Sequence, residues 1–207
     1  MNPPRWLKWA REIQAVAQTA SHYADDMYER ARAEQLLELA AEMISTSADE
    51  PPAVIRAALV EQGGYVTPKV DVRAAVFNGD CLLMAKEKAD GGWTLPGGWA
   101  DVGETPRQAV ERETYEETGF TVKARRLIGV YDANRIEGQL PLFHAYKLVF
   151  LCEITGGEAR VSEETSAVEF FSLDKLPLPL SANRTLPRHI DDAVKAYQNP
   201  ERLAVFD

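Results

Sequence analysis

Apolar residues in the first part of the chain recur every three or four residues, which is the spacing of one face of an α-helix. The spacing predicts a helix over residues 6–20 and a second helix that begins near Asp25 or Asp26. A third, short helix, AVIRAALVEQ, follows the helix-breaking segment SADEPP and ends at Gly63 and Gly64. Three helices in about sixty residues form a thin core, so we expect this segment to pack on the rest of the chain or on another subunit.

The pattern changes to that of β-strands after Pro68. Apolar runs at 70–77 and 81–86 are joined by Asn78-Gly79, the dipeptide that most readily forms a tight hairpin turn. Further strand-like segments lie at 122–131, 144–154 and 168–171, and a last helix is expected at about 186–198. Strands on both sides of one central helix predict an α+β fold, an α/β/α sandwich rather than a regular βαβ array. The predicted domains are a helical one, 1–66, and the sandwich, 67–207.

The composition disfavours several classes of partner. The net charge of −9 gives a field that does not attract polyanions, and no basic run could follow a nucleic-acid backbone. No apolar run approaches the roughly eighteen residues of a membrane span, and the N-terminus lacks the apolar segment of a secretory signal, so we expect a soluble protein in the cytoplasm. Cys81 and Cys152 lie in apolar runs without neighbouring metal ligands, which predicts two reduced core thiols.

Carboxylates concentrate in the stretch LPGGWADVGETPRQAVERETYEETGF, residues 95–120. Within it, Thr105, Pro106 and Gln108 have the pattern of a helix start, with Thr105 as the N-cap. Gly119 has the pattern of a left-handed C-cap, so the predicted helix runs from Pro106 to about Thr118. This short helix carries three of the carboxylates.

Glu113, Glu116 and Glu117 share one face of the predicted helix. Like charges at these spacings destabilise a helix by about 0.2–0.5 kcal/mol per pair, so a cation that gathers them is expected. Oxygen ligands without Cys or His favour Mg²⁺ or Mn²⁺. Gly97 and Gly98 would let the main chain approach a metal ion or a phosphate closely.

A solvated acidic face is the alternative interpretation of such a helix. The glycine turn disfavours this alternative, and so does Arg112, which is placed to bridge Glu113 and Glu116. A metal site is therefore the preferred hypothesis.

These residues resemble the signature of the Nudix hydrolases. The matching positions have the family's spacing and are Gly98, Glu104, Arg112, Glu113, Glu116, Glu117 and Gly119, followed by apolar Phe120. Thr114 stands where the family usually has an aliphatic residue, and its β-branched shape is kept. The resemblance covers about Val70 to Gln198 and implies a Nudix-type sandwich with a mixed sheet.

The resemblance implies an enzyme that uses Mg²⁺ or Mn²⁺ to cleave the pyrophosphate bond of a nucleoside diphosphate linked to a group X. The implied metal ligands are Glu113, Glu116, Glu117, the carbonyl of Gly98 and, from a loop outside the signature, Glu163 or Glu164, of which we take Glu164. The implied catalytic residues are Glu113, Glu117, Arg112 and Glu104. Among these, Glu113 is a candidate base, while Arg112 and Glu104 orient the carboxylates.

The N-terminal helices, with the segments GGWADVGE and YDANR, resemble a smaller subgroup that includes the CDP-choline pyrophosphatases, whose members are often labelled ADP-ribose pyrophosphatases. This resemblance implies CDP-choline or ADP-ribose as a substrate and a homodimer formed through the helical segment. Two alternatives stay open. One is removal of pyrophosphate from the 5′ end of RNA, which the acidic composition disfavours, and the other is a non-catalytic nucleotide-sensing module.

Three residues on strands are candidates for phosphate and base contacts with the substrate: Arg73, Tyr131 and Asp132. The alternative is that they are surface residues at strand ends. His144 and His189 have no predicted partners, and we expect structural roles for both. No covalent nucleophile is expected, because in-line attack by water needs positioning and charge neutralisation above all.

Overall fold

A computed structural model describes residues 5–46, 50–60, 64–133, 144–181 and 184–207 of the chain. These residues fall into two compact units. The first holds the helices that precede Pro68, and the second runs over Lys69–Ala133 and Ala145–Asp207. The predicted division into domains at residues 66 and 67 stays a prediction. Within the described ranges, no helix combines the length and the apolar character that a membrane crossing requires.

The described part of the first unit contains the helices that the sequence pattern predicts, namely α1 (Arg5–Tyr23), α2 (Met27–Ser45) and α3 (Pro52–Val60). The side chain of Asp26 caps α2 by accepting the backbone N–H groups of Tyr28 and Glu29 at 2.7 and 2.8 Å. The helices bury a small common core of Leu7, Ala10, Ala41, Ile44, Ile55 and Leu59. Residues 61–63, at the predicted end of α3, lie outside the described residues.

The second unit is built on a mixed sheet. Its described strands are β1 (Lys69–Asn78), β2 (Cys81–Glu87), β3 (Trp93–Thr94), β4 (Phe120–Asp132), β5 (Ala145–Gly157), β6 (Thr165–Ser172) and β7 (Val205–Phe206), and its helices are α4 (Pro106–Thr118) and α5 (Pro187–Gln198). Strands β1 and β5 run parallel to each other. Each also has an antiparallel neighbour, β2 beside β1 and β4 beside β5, and β6 pairs with β2. The longer strands are confirmed, whereas the two-residue strands β3 and β7 have no counterpart in the predictions.

The two helices of this unit cover opposite faces of the sheet, because successive side chains of a strand alternate between its faces. The face toward α4 buries Val72, Ala74, Val76, Ala109 and Val110. On the other face, Ala75 of β1 belongs to the same core as Ile190 of α5. The predicted α/β/α sandwich is therefore confirmed.

Strands β1 and β2 form the predicted hairpin, with Gly79 at φ +57°, but they pair only over the two residues nearest the turn. Farther from the turn, β1 pairs with the segment that leads into α4. The Ala74 N–H donates to the Pro96 carbonyl at 2.8 Å. The Val72 N–H donates to the Gly98 carbonyl, also at 2.8 Å. The glycine turn is thus held by the sheet itself.

His189, near the start of α5, is a buried histidine whose Nδ1 accepts the backbone N–H of Leu186 at 3.1 Å. Its ring centroid lies 4.6 Å from that of Tyr131. Burial, reinforced by the charges of Lys147 and Arg188, lowers the pKa of His189 to about 3. A neutral imidazole therefore closes the first turn of α5, which is the structural role expected for this residue.

We predict that the native state loses stability as the pH falls from 6.5 toward 3, partly through His189. In the unfolded chain the imidazole has a pKa near its usual 6.5, so in this window the unfolded state binds a proton that the native state does not. The loss due to this residue should be on the order of 2 kcal/mol between pH 6.5 and about pH 5. Urea denaturation over a pH series should show a shallower dependence for His189→Gln, and equal slopes for both proteins would contradict the assignment.

Candidate functional site

Both ends of α4 are fixed as the sequence predicts. In a capping box, the Gln108 N–H donates to the Thr105 hydroxyl oxygen and the Thr105 N–H donates to the Gln108 side-chain oxygen. Gly119 ends the helix with φ +77°, and its N–H donates to the Tyr115 carbonyl at 2.8 Å. A Cβ on Gly119 would lie 2.4 Å from the carbonyl oxygen of Glu158, so the end of the helix is pressed against the β5–β6 connection.

Arg112 binds three of the signature carboxylates. Its Nε and Nη2 donate to the two oxygens of Glu104 at 2.8 and 2.9 Å. Its Nη1 donates to Glu113 at 2.8 Å and to Glu116 at 2.9 Å. The hydrogen bonds that Arg112 donates to Glu104 and Glu113 raise its pKa, so the guanidinium stays charged. The bridging role predicted for Arg112 is present in the structure.

Glu117 points away from Arg112, toward the glycine turn. It is 5% exposed, and its Oε2 accepts the Gly97 N–H at 2.8 Å. Burial raises the pKa of Glu117 to about 7, although Arg73 and the Gly97 N–H act in the opposite direction. The predicted acidic face is therefore divided, because Glu117 is buried under the turn while Glu116 is exposed.

Gly98 brings the main chain against the carboxylate of Glu113. A Cβ at position 98 would lie 2.6 Å from Glu113 Oε2, so a side chain there would displace the carboxylate. The Gly98 carbonyl, a predicted metal ligand, uses one lone pair on the Val72 N–H. A carbonyl has two lone pairs, so the other is available to a cation.

The described residues contain no group of three His, Cys, Asp or Glu side chains at metal-binding spacing. Arg112 holds Glu113 and Glu116, while Glu117 turns to Gly97. The donors nevertheless suit a hard divalent cation, because all are oxygens and one is a carboxylate buried at considerable cost. The ligand set stays a prediction, and the residues are compatible with it.

Glu164, the predicted ligand from outside the signature, is exposed in the β5–β6 connection. Its N–H donates to the Ser162 hydroxyl oxygen at 3.1 Å, and its carbonyl accepts the Lys88 N–H at 2.9 Å. Burial raises the pKa of Glu87, and the charge of Glu164 adds a smaller contribution in the same direction. The role of Glu164 as a ligand stays a prediction.

Arg73 is buried inside the second unit rather than open at a strand end. It is 3% exposed, and its Nε and Nη2 donate to the Asp71 carboxylate at 2.8 and 3.0 Å. Its Nη1 donates to the Leu95 carbonyl at 3.3 Å, directly before the glycine turn. Arg73 therefore supports the turn, and a phosphate contact by this side chain stays a prediction.

Tyr131 and Asp132 end β4, but the tyrosine is not a surface residue. Its ring belongs to the core beside α5, and its hydroxyl donates to Asp192 at 3.1 Å. The backbone N–H of Asp132 donates to Asp207 at 2.9 Å. The residues that follow in YDANR, Asn134 and Arg135, lie outside the described residues. Base recognition by Tyr131 and Asp132 stays a prediction.

Sequence reasoning missed three buried charges of the second unit, namely Asp71, Lys147 and Glu87. Lys147 on β5 is 1% exposed, and its Nζ donates to Asp71 at 2.9 Å. Burial lowers the pKa of Lys147 to about 8, partly offset by Asp71. Burial alone would raise the pKa of Asp71, but Arg73 and Lys147 hold it below its usual range. No spacing in the sequence pointed to this pair, because Asp71 and Lys147 are joined only by the pairing of β1 with β5.

Glu87 is the other buried acid that sequence reasoning missed. It is the last residue of β2 and is 1% exposed, and its Oε2 lies 3.0 Å from Arg184 Nη1. Its Oε1 has no hydrogen-bond partner among the described residues. Burial raises the pKa of Glu87, partly offset by Arg184 and Arg73.

Comparison with protein-family models gives two matches. Residues 67–192 match the NUDIX domain, and residues 4–59 match the UDP-X-like, N-terminal oligomerisation domain. Among curated proteins, the putative ADP-ribose pyrophosphatase YjhB of Bacillus subtilis is 35% identical over 203 residues, which cover 98% of this chain and 97% of the relative. The chain belongs to the Nudix hydrolase family.

Solved structures agree with this membership. A crystal structure of a UDP-X diphosphatase covers all of both chains with 30% identity and a TM-score of 0.63. An ADP-ribose pyrophosphatase from Streptococcus suis covers 68% of this chain and 100% of its own, with 36% identity and a TM-score of 0.62. The chain is thus a Nudix hydrolase with a helical N-terminal region, and the relatives of this type are named as pyrophosphatases.

We predict that Asp71→Asn lowers the free energy of unfolding by about 3–5 kcal/mol, because the buried cations Arg73 and Lys147 then lose their shared counter-charge. Lys147→Met should cost less than about 1 kcal/mol, because the Asp71–Arg73 pair survives and an apolar chain of similar length fills the space. Chemical denaturation at neutral pH measures both values. Similar losses for the two variants would contradict this account of the cluster.

Proposed function

We propose that the protein is a Mg²⁺-dependent Nudix hydrolase that cleaves the pyrophosphate bond of a nucleoside diphosphate linked to X, releasing a nucleoside monophosphate and phosphorylated X. The observation that carries the proposal is the joining of the signature carboxylates by Arg112 beneath the main chain of the Gly97–Gly98 turn. Nudix hydrolases in general use divalent metal ions. For this chain we propose magnesium as the divalent ion.

The proposed ligands are Glu113, Glu116, Glu117, the Gly98 carbonyl and Glu164. A divalent cation held there would neutralise phosphate charge and lower the pKa of a bound water. Arg112 fixes Oε1 of Glu113, which leaves Oε2 to accept the proton of the attacking water. Glu104 in turn holds Arg112 through two hydrogen bonds, so it positions the base without contacting the substrate.

The names of similar proteins narrow the choice of substrate for this chain. The names of the similar proteins point to ADP-ribose and to UDP-linked compounds, and the sequence resemblance adds CDP-choline. All share a pyrophosphate between two groups, which is the part that a carboxylate-bound cation recognises. We place ADP-ribose and UDP-linked sugars first, with CDP-choline as the third member of a substrate panel. A cytoplasmic location stays a prediction.

Neither alternative function is favoured by a particular observation. A 5′-triphosphorylated RNA would approach a chain with a net charge of −9, which long-range electrostatics disfavours. A nucleotide sensor would have little need for the complete set of signature acids.

Exposed apolar residues on helix α1 support the proposal that the chain forms a homodimer. Trp9, Val16 and Tyr23 recur every seven residues on α1 and are exposed. This spacing places the three apolar side chains on one face of the helix. An exposed apolar face of this kind is typical of a protein–protein contact. The matched family model of residues 4–59 is described as an oligomerisation domain. We therefore propose that this face of α1 contacts a second copy of the chain.

Replacement of Glu117 tests the proposed hydrolase activity. In the presence of Mg²⁺, the substrate panel should identify at least one compound that is converted to a nucleoside monophosphate. Glu117→Gln should reduce that turnover a hundredfold or more, because removing a metal-facing charge forfeits several kcal/mol of transition-state stabilisation. Glu111→Gln is the matched control, since Glu111 lies on the same helix but contacts Lys123 and the Ala124 N–H. Equal turnover by wild type and Glu117→Gln would refute the assignment.

The dimer is tested by Val16→Glu in the full-length chain. Val16 is 68% exposed, so the charge should leave the helical core intact while it disrupts an interface on this face. Light scattering during size-exclusion chromatography should show a dimer for the wild type and a monomer for the variant. Val161→Glu, at a residue 51% exposed in the second unit, should remain dimeric. A monomeric wild type would exclude the proposal.

A further inference from the structure

Glu87 carries a buried carboxylate oxygen that none of the residues described by the structure satisfies. One oxygen lies 3.0 Å from Arg184 Nη1, and the other is without a hydrogen bond among the described residues. A buried polar atom left unsatisfied costs about 1–3 kcal/mol, and more when the group is charged. Such atoms are rare in native proteins and indicate a missing water, ion or ligand. The side chain is 1% exposed, so bulk solvent does not satisfy it.

Main-chain contacts place Glu87 beside the end of α4. Glu87 is the partner of Thr165 in the β2–β6 ladder. The Thr165 hydroxyl donates to the Glu117 carbonyl at 2.9 Å. The next residue of the strand, Lys88, donates its N–H to the Glu164 carbonyl at 2.9 Å. The backbones of Glu87, Glu117 and Glu164 therefore lie close together where β2, β6 and α4 meet.

The charges of these acids act on one another. Burial raises the pKa of Glu117 most, and Glu87 and Glu113 raise it further. Burial is likewise the largest contribution to the raised pKa of Glu87, and the charge of Glu164 raises this pKa further. Arg73 lies close enough to both Glu87 and Glu117 for each to raise its pKa, but it donates its hydrogen bonds to Asp71 and Leu95. The repulsion between Glu87 and Glu117 is thus only partly offset.

We propose that Glu87 is a further ligand of a divalent cation, which it binds through Oε1 together with Glu117. The inference rests on the metal site of the proposed function and extends it from the signature helix to the end of β2. Mg²⁺ keeps several waters when carboxylates bind it, so Glu87 would replace one of these waters beside the ligands of the proposed function.

The competing explanation is that Glu87 serves only as the ion-pair partner of Arg184. In that case Glu87→Gln and Arg184→Met would destabilise the protein alike and leave cation affinity unchanged. A third possibility is a general effect of charge, in which any acid near the site attracts cations. Asp90→Asn controls for this effect, because both oxygens of Asp90 are already occupied by the Gly92 N–H and the Ser181 hydroxyl.

The test is a titration of the full-length protein with Mn²⁺ alone, in which electron paramagnetic resonance measures the free ion. Glu87→Gln should weaken the tightest Mn²⁺ site at least tenfold, since even outer partners of metal ligands contribute 10- to 100-fold to affinity. Asp90→Asn and Arg184→Met should change the affinity by less than about threefold. Thermal melting of each variant without metal ensures that folded proteins are compared.

The outcomes separate this inference from the proposed function. If Glu87→Gln binds Mn²⁺ as the wild type does while Glu117→Gln does not, the inference is wrong and the signature site stands. Equal weakening by Glu87→Gln and Asp90→Asn would also overturn the inference, because charge alone would then explain the effect. If Glu87→Gln fails to fold, anomalous diffraction from wild-type crystals with Mn²⁺ decides, and an ion that Glu87 does not contact would refute the proposal.

Discussion

The close approach of the Gly97–Gly98 turn to β1 is the constraint on which the rest of the site depends. A Cβ at Gly97 would lie 2.0 Å from the Val72 carbonyl oxygen, and Gly97 has φ +138°, so no other residue fits there without moving the backbone. This approach is possible because β1 and β2 pair only beside their hairpin turn, which leaves the rest of that edge of β1 free of β2. The vacated edge of β1 receives the segment before α4, and the Gly97 N–H then faces Glu117.

Buried charges of both signs support this arrangement from beneath. The buried acids are Asp71, Glu87 and Glu117, and the buried bases are Arg73 and Lys147. The half-buried Arg184 pairs with Glu87, so the cluster is neutral when all six are ionised. Neighbouring opposite charges counteract burial, which by itself favours the neutral form of each group.

The parts of the fold that could be predicted are those determined by neighbours in sequence. The capping box at Thr105 and the C-cap at Gly119 lie within one turn of the helix ends, and Arg112 reaches acids one, four and eight positions away. Lys147 is 76 positions from Asp71, and only the parallel pairing of β1 with β5 brings them together. Because strand order and register arise from the whole core, Asp71, Lys147 and Glu87 could not be recognised from spacing.

The glycine at the end of α4 has a consequence for how the site responds to ligands. Gly119 is in contact with the backbone at Glu158, and a Cβ on Gly157 would lie 2.2 Å from the Gly119 carbonyl oxygen. The C-terminal end of α4 is therefore fixed against the β5–β6 connection. A divalent cation at the proposed site would then be gathered mainly by rotation of glutamate side chains about their own bonds. The conformational entropy of the backbone is lost during folding, and only side-chain entropy remains to be lost on binding.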